Sequence, residues 1–200
     1  MLITATNNSF ISMRARLSSR ELALISLFSA TWIASQLTFG PIIGRISLGP
    51  FTLHGVVNRV VGWTLMLVLA EISGRFGPVT LMSITASVGT RIIRASPISG
   101  FVTGAGYALG GVFFDYLFNV SEKWGNRGSS KGRLFMLSFL SGAIAIVPYL
   151  LYRFMVLGWA GFLILTPVYA YSAFKGIVFS LLGTSLGLSV SGRVKEMLSR

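Results

Sequence analysis

Long apolar stretches with few charges between them are the feature that most constrains this chain. Of its 200 residues, 53% are hydrophobic and only 11% are charged. Soluble domains carry about a quarter charged residues, so charges this sparse cannot cover the surface of a soluble globule of this length. They suffice when most of the surface faces lipid, and roughly 20 residues per span leave room for six spans. We therefore predict an all-α integral membrane bundle of six transmembrane helices.

Capping and turn residues mark the ends of these spans. Ser18 and Glu21 have the spacing of a capping box just before the first apolar stretch. The polar segment 121–133 is the longest hydrophilic break and separates two halves of three spans. Pro148 lies inside the fifth predicted span, and the length of the sixth indicates tilt, a kink at Pro167 or a cytoplasmic overhang. The predicted spans are residues 21–39, 53–73, 77–97, 98–119, 134–157 and 161–190.

The distribution of basic residues predicts the orientation. With the N-terminus inside, most of the 17 basic residues fall in segments on the inner side, and such an excess marks the cytoplasmic face. We expect both termini in the cytoplasm, a tail at 1–20, a multi-pass transmembrane domain at 21–192 and a second tail at 193–200. The inner basic residues are Arg14, Arg16, Arg20, Arg75, Lys123, Arg127, Lys131, Arg133, Arg193, Lys195 and Arg200.

Six basic residues lie in or near the predicted outer loops and spans, against this bias. Two interpretations stay open for the outer arginines. They reach the lipid headgroups with their long side chains, or they line an outward-facing pocket for a carboxylate or phosphate. Aromatic residues near the same helix ends either form the interfacial belt or stack on a flat ligand. The six basic residues are Arg45, Arg59, Arg91, Arg94, Arg153 and Lys175.

Two ionisable residues fall at membrane depth. Asp115 lies in the inner part of span four and Lys175 near the middle of span six. A lone charge in lipid is costly, so each residue should have a partner. We predict an intramembrane ion pair between them that joins the two helices, and the functional alternative is a proton or ion relay.

The residue inventory argues against catalysis. There is no cysteine and a single histidine, His54, which excludes disulfide scaffolds and thiol nucleophiles. No metal-ligand spacing, nucleophile elbow, P-loop or pair of carboxylates is present. We expect no enzyme activity, no metal and no cofactor. The basic residues behind the net charge of +12 lie mostly between apolar stretches, where they set the orientation in the membrane. We therefore expect no nucleic-acid partner either.

Small residues predict which helix faces touch, because lipid gives no hydrophobic drive for helices to associate. Span six carries a stripe of small residues from Ala173 to Gly187, and span four is rich in glycine from Gly100 to Gly111. We expect both faces to pack inside the protein. The small residues of span one either pack in the same way or dock a second membrane protein. They are Ser26, Ala30 and Ala34.

Three segments resemble one transporter family. Span one reads Ala30-Thr-Trp-Ile-Ala34, and the loop from Gly40 to Pro50 is rich in glycine and proline. Span four reads Gly104-Ala-Gly-Tyr-Ala-Leu-Gly-Gly111. Together with the six-span layout, these segments resemble the substrate-binding S component of energy-coupling factor (ECF) vitamin transporters. Residues 77–118 faintly resemble its thiamine-precursor (hydroxymethylpyrimidine) branch.

The resemblance implies a substrate-capture subunit in a prokaryotic cell membrane. Such a subunit would bind a vitamin or vitamin precursor from outside and pass it to a transmembrane coupling subunit with two ATPase subunits. The alternatives are an ion-coupled secondary transporter that uses Asp115 and Lys175, and a membrane protein without transport activity. His54 is also open to a capping or interfacial role. The resemblance places coupling-subunit docking on Ser26, Ala30 and Ala34. The substrate-binding candidates are Arg45, His54, Asn58, Arg59, Arg91, Phe101, Tyr107, Tyr149, Tyr152 and Tyr171.

Overall fold

The computed structural model describes residues 17–48, 51–53, 55–94, 97–124 and 131–198, and this part of the chain is helical apart from one short strand pair. In the connection after the first helix, strand β1 (Ser47–Leu48) pairs antiparallel with β2 (Phe51–Thr52), with Ser47 opposite Thr52. The elements are α1 Ser19–Gly44, β1 Ser47–Leu48, β2 Phe51–Thr52, α2 Val56–Ser73, α3 Pro78–Ile93, α4 Ile98–Trp124, α5 Lys131–Ile144, α6 Val147–Ile164 and α7 Thr166–Leu198.

The predicted capping box begins α1. The Ser18 hydroxyl accepts a hydrogen bond from the Glu21 backbone N–H at 3.2 Å, and a Glu21 carboxylate oxygen accepts from the Ser18 backbone N–H at 2.8 Å. The predicted end near Phe39 is wrong, because the helix continues through Pro41 to Gly44. A proline so close to a helix end removes only one backbone hydrogen bond, and apolar residues follow it.

Prolines mark helix starts where the sequence suggested helix interiors. Predicted span five, residues 134–157, is divided between two helices. Helix α5 ends at Ile144, and α6 begins at Val147 with Pro148 in its first turn. Residues 161–164, predicted as the start of span six, belong to α6, and α7 begins at Thr166 just before Pro167. A proline in the first helical turn lacks an N–H that would have no partner there. The only bend within α6 is at Gly158, where the backbone is not helical.

Five described segments are long and apolar enough to cross a bilayer: 19–44, 56–73, 98–122, 131–164 (α5 with α6) and 166–194. Helix α3 is apolar but has only 16 residues, about 24 Å at 1.5 Å per residue. Large apolar side chains stand on the outer surface, with Met155 80% and Ile164 77% exposed. The chain is therefore a multi-pass membrane protein whose exposed apolar surface suits lipid.

The first and last helices have their chain termini at the same end of the bundle. Glu21, in the first turn of α1, forms an ion pair with Arg75, which follows the end of α2. Helix α7 runs parallel to α2, because Gly176, Gly183 and Gly187 lie against successively later α2 residues. The end where α1 begins and α7 finishes is called the terminal end here. The opposite end, where α1 finishes and α2 begins, is called the cavity end.

Close helix packing forms the core. A Cβ added at Gly183 would lie 2.5 Å from the Val60 carbonyl oxygen and 3.0 Å from the Trp63 Cβ, so only glycine allows α7 to lie this close to α2. The small stripe of span six and the glycines of span four both face other helices, which confirms the packing predicted for them. The largest fully buried side chains include Trp32, Trp63 and Phe114.

Candidate functional site

A cavity of about 420 Å³ lies at the cavity end between α1, α2, α3, α4 and α6. We call it the large cavity. Its wall combines glycine backbone with polar, cationic and phenolic side chains. The side chains with polar groups are Gln36, Asn58, Thr90, Arg91, Arg94, Ser99, Thr103, Tyr107, Tyr149 and Arg153.

Three of these side chains are arginines. Arg91 and Arg94 lie one turn apart at the end of α3, where a positive charge also complements the helix dipole. The Arg91 Nε donates to the Gly100 carbonyl oxygen at 2.7 Å, which holds the guanidinium beside the start of α4. Arg153 extends from α6, where its Nε donates to the Tyr149 hydroxyl at 3.0 Å. The arginines therefore approach the large cavity from two sides.

A second cavity of about 240 Å³ lies beside the first and extends toward α7. We call it the small cavity. Arg59 and Lys175 line it, together with Ser172 and Phe179. The two cavities share part of their walls, because Gly55, Thr103, Tyr107 and Tyr149 line both.

Arg59 is held at the inner wall of the small cavity and is only 8% exposed. Its Nη1 donates to the Gly142 carbonyl oxygen at 3.1 Å and to the Ser180 hydroxyl at 3.5 Å. The guanidinium lies over the rings of Trp63 and Tyr107, 5.0 Å from each centroid, a cation–π arrangement. Its position is therefore fixed by the packing of several helices.

Aromatic and amide groups connect the cavity floor to α1. Trp32, fully buried in α1, donates its indole N–H to the Asn58 side-chain oxygen. Tyr107 packs edge-on against Trp32 and Trp63, with centroids 6.4 Å apart in both pairs. Trp63 in turn donates its indole N–H to the Ser141 hydroxyl at 3.1 Å. Both indole N–H groups of this buried cluster therefore have a partner, as low-dielectric sites require.

Negative charge is confined to the other end of the bundle. All five carboxylates of the sequence lie in the described part of the chain, and none lines either cavity. The six basic residues predicted in or near the outer loops and spans all lie toward the cavity end. The carboxylates lie toward the terminal end: Glu21 in the first turn of α1, Glu71 in the last turn of α2, Asp115 beside the start of α3, Glu122 near the end of α4 and Glu196 near the end of α7.

The predicted ion pair between Asp115 and Lys175 is wrong. Asp115 Oδ2 accepts hydrogen bonds from the backbone N–H groups of Gly77 and Thr80, both at 2.9 Å, and from the Thr80 hydroxyl at 2.8 Å. Lys175 instead lines the small cavity, and its Nζ lies 5.5 Å from the Tyr171 ring centroid. Tyr107, which lines the same cavity, is two helical turns before Asp115 on α4. Asp115 therefore caps α3 from a neighbouring helix.

The predicted binding residues divide by helix face. Asn58, Arg91, Tyr107 and Tyr149 line the large cavity, and Arg59, Tyr107 and Tyr149 line the small one. His54 lies outside the described residues. Four other predicted binding residues line neither cavity: Arg45, Phe101, Tyr152 and Tyr171.

Depth in the membrane was their only criterion, and depth does not select the inward face of a helix. On α4, Gly100, Thr103 and Tyr107 face the large cavity, while Phe101 points away and is 52% exposed. Arg45 is an exposed residue at the end of α1. Sequence reasoning missed Gln36 and Thr103 as lining residues, and no signal in the sequence distinguished them from other polar residues in spans.

The small residues of span one lie on the bundle surface. Ser26, Ala30 and Ala34 are all exposed, whereas Ser29 and Trp32 on the other face of α1 are buried. Of the two interpretations, packing inside the bundle is therefore wrong for this face.

Comparisons with protein-family models, with curated proteins and with solved structures found no match.

Proposed function

We propose that this chain is the substrate-capture (S) component of an ECF-type importer and that its substrate is a vitamin-like small molecule with a negatively charged group. One observation carries the proposal. The large cavity has three arginines and no carboxylate in its wall, in a membrane protein whose five carboxylates all lie toward the other end. The wall of the large cavity therefore pairs cationic groups with neutral polar and phenolic groups.

The physical chemistry of the wall suits an organic anion. Arginine binds carboxylate or phosphate through two parallel N–H groups, and the low dielectric of a membrane protein strengthens such contacts relative to water. Tyr107 and Tyr149 add phenolic side chains to the same wall, which suits the organic body of the molecule. A volume of about 420 Å³ falls within the range of about 300–1,000 Å³ that is usual for small-molecule sites.

Transport needs a partner in this proposal. The sequence contains no P-loop, so energy from ATP would come from two ATPase subunits through a transmembrane coupling subunit. The exposed small face of α1 supports a docking site there, because small residues let a second helix approach closely. In a prokaryotic cell membrane, the cavity end would face outward and both termini would lie in the cytoplasm, as the excess of basic residues near the terminal end favours.

Docking is tested by the double substitution Ala30→Leu with Ala34→Leu. Two leucines would hold a partner helix away from α1, so we expect co-purification with a coupling subunit to be lost while the protein still folds. Ala160→Leu is the matched control, because Ala160 is an exposed alanine on a different helix, α6. Unchanged co-purification of the double variant would reject this docking site.

The substrate is tested by mass spectrometry of small molecules released from the purified protein. We expect an organic acid or phosphate ester to be retained by the protein and lost in Arg91→Gln. Retention of an uncharged or cationic molecule instead would contradict the proposed substrate class.

A further inference from the structure

The small cavity has the features of a second anion site. Two cationic side chains, Arg59 and Lys175, line one space of about 240 Å³. Like charges that share a cavity repel each other, which favours an anion between them. None of the five acidic side chains of the chain lines this cavity.

Arg59 differs from an arginine that reaches for lipid headgroups. It is nearly buried, and its guanidinium is fixed by the Gly142 carbonyl, the Ser180 hydroxyl and two aromatic rings. A Cβ at Gly176 would lie 3.3 Å from the guanidinium carbon, so glycine at this position lets Arg59 lie against α7. These contacts are with neutral groups, so they leave the charge of Arg59 without a neutralising anion.

The two cavities are neighbours whose common wall contains Thr103, Tyr107 and Tyr149. A molecule lying across these side chains would have one end at Arg91 and Arg153 and the other at Arg59 and Lys175.

We propose that the small cavity is a second anion subsite and that the substrate carries two negatively charged groups, one for each cavity. This inference rests on the proposed function for the identity of the substrate, while the subsite itself is tested with simple anions. The chemistry shared by the candidate groups is that of phosphate and carboxylate.

The test measures the rate at which an amine-reactive acetylating reagent modifies Lys175 in the purified full-length protein, read by peptide mass spectrometry. The probes are inorganic phosphate and succinate, each compared with chloride at equal ionic strength. We expect either probe to slow modification of Lys175 several-fold. Lys131 is the internal control, because it is exposed at the start of α5, away from both cavities, and its rate should not change.

A second variant separates this inference from the proposed function. In Lys175→Met, anion binding at the large cavity should persist, and a molecule with two anionic groups should lose affinity at least tenfold more than one with a single group. If neither anion protects Lys175 while both still stabilise the wild type and not Arg91→Gln, the second subsite is refuted and the proposed function survives. If the anions neither protect Lys175 nor stabilise the protein, both proposals fail.

Phosphate chemistry has two sources at a membrane, a soluble molecule and an anionic lipid headgroup. The labelling is therefore repeated in nanodiscs of phosphatidylcholine and of phosphatidylglycerol. Protection that requires the added probe in both lipids supports the proposed substrate with two anionic groups. Protection by phosphatidylglycerol alone, with no further effect of the probes, would assign the subsite to lipid and overturn that proposal.

Discussion

Asp115 is expected to stabilise the start of α3, and its replacement tests this role against a role in ion transfer. Helix α3 begins at Gly77-Pro78, so it has no capping side chain of its own. Asp115 Oδ2 accepts from two backbone N–H groups and from the Thr80 hydroxyl, and the side chain is almost completely buried. Asp115→Ala would leave these donors without a partner in a buried site.

The magnitude follows from these contacts. A hydrogen bond to a charged acceptor contributes about 1.5–3 kcal/mol, and an unsatisfied buried donor costs about 1–3 kcal/mol. Because the three bonds share one oxygen and are not additive, we expect Asp115→Ala to lower the free energy of unfolding by about 3–5 kcal/mol. Asp115→Asn keeps an acceptor oxygen but loses the charge at the helix N-terminus, so we expect a smaller loss of about 1–2 kcal/mol.

The assay is reversible denaturant unfolding in detergent, with Glu196→Gln as the control, because Glu196 is exposed near the end of α7. In addition, proteoliposomes of the wild type and of Asp115→Asn are compared for ion-driven uptake. If Asp115 acts only as a cap, its variants lose stability, and neither the wild type nor Asp115→Asn shows ion-driven uptake. Variants as stable as the wild type, or uptake by the protein alone that disappears in Asp115→Asn, would refute this reasoning and favour an ion-coupled transporter.

Two further predictions concern packing. Gly183→Ala should lower the free energy of unfolding by about 1–3 kcal/mol, because the added Cβ would meet the α2 backbone. Gly132→Ala is the control and should be neutral or slightly stabilising, because the added Cβ there meets open space. Equal effects of the two changes in unfolding assays would contradict the close contact between α2 and α7. Trp32→Phe removes the indole N–H that donates a hydrogen bond to the Asn58 side-chain oxygen, and it should lower the free energy of unfolding by about 1 kcal/mol or more. A double-mutant cycle with Asn58→Ala should show coupling, and simple additivity would count against this hydrogen bond.

The sequence predicted the helical membrane architecture and the first helix start for clear physical reasons. Sparse charge and long apolar stretches leave few alternatives to a helical bundle. The capping box at Ser18 and Glu21 depends only on local spacing, so it could be recognised directly. The prolines were harder, because Pro148 and Pro167 lie in continuous apolar sequence. Such sequence does not distinguish a proline in a helix interior from one in a first turn.

The site was predicted only in part, because sequence gives depth in the membrane but not which helices face each other. Arg59 and Arg91 were predicted as binding residues, and each lines a cavity. Asp115 and Lys175 were paired because each needed a partner. The actual partners of Asp115 are backbone groups at the α3 start, and the sequence does not mark a backbone N–H as unpaired.

The most direct test of the account is anion binding to the purified protein, measured by isothermal titration with succinate and inorganic phosphate. We expect saturable binding that falls about tenfold or more in Arg91→Gln and Arg153→Gln, the loss expected for one charge-assisted hydrogen bond. Arg193→Gln, a change of an exposed cation near the end of α7, should bind as the wild type does. Absence of saturable anion binding, or equal loss in all three variants, would contradict the assignment of the large cavity as an anion-binding site.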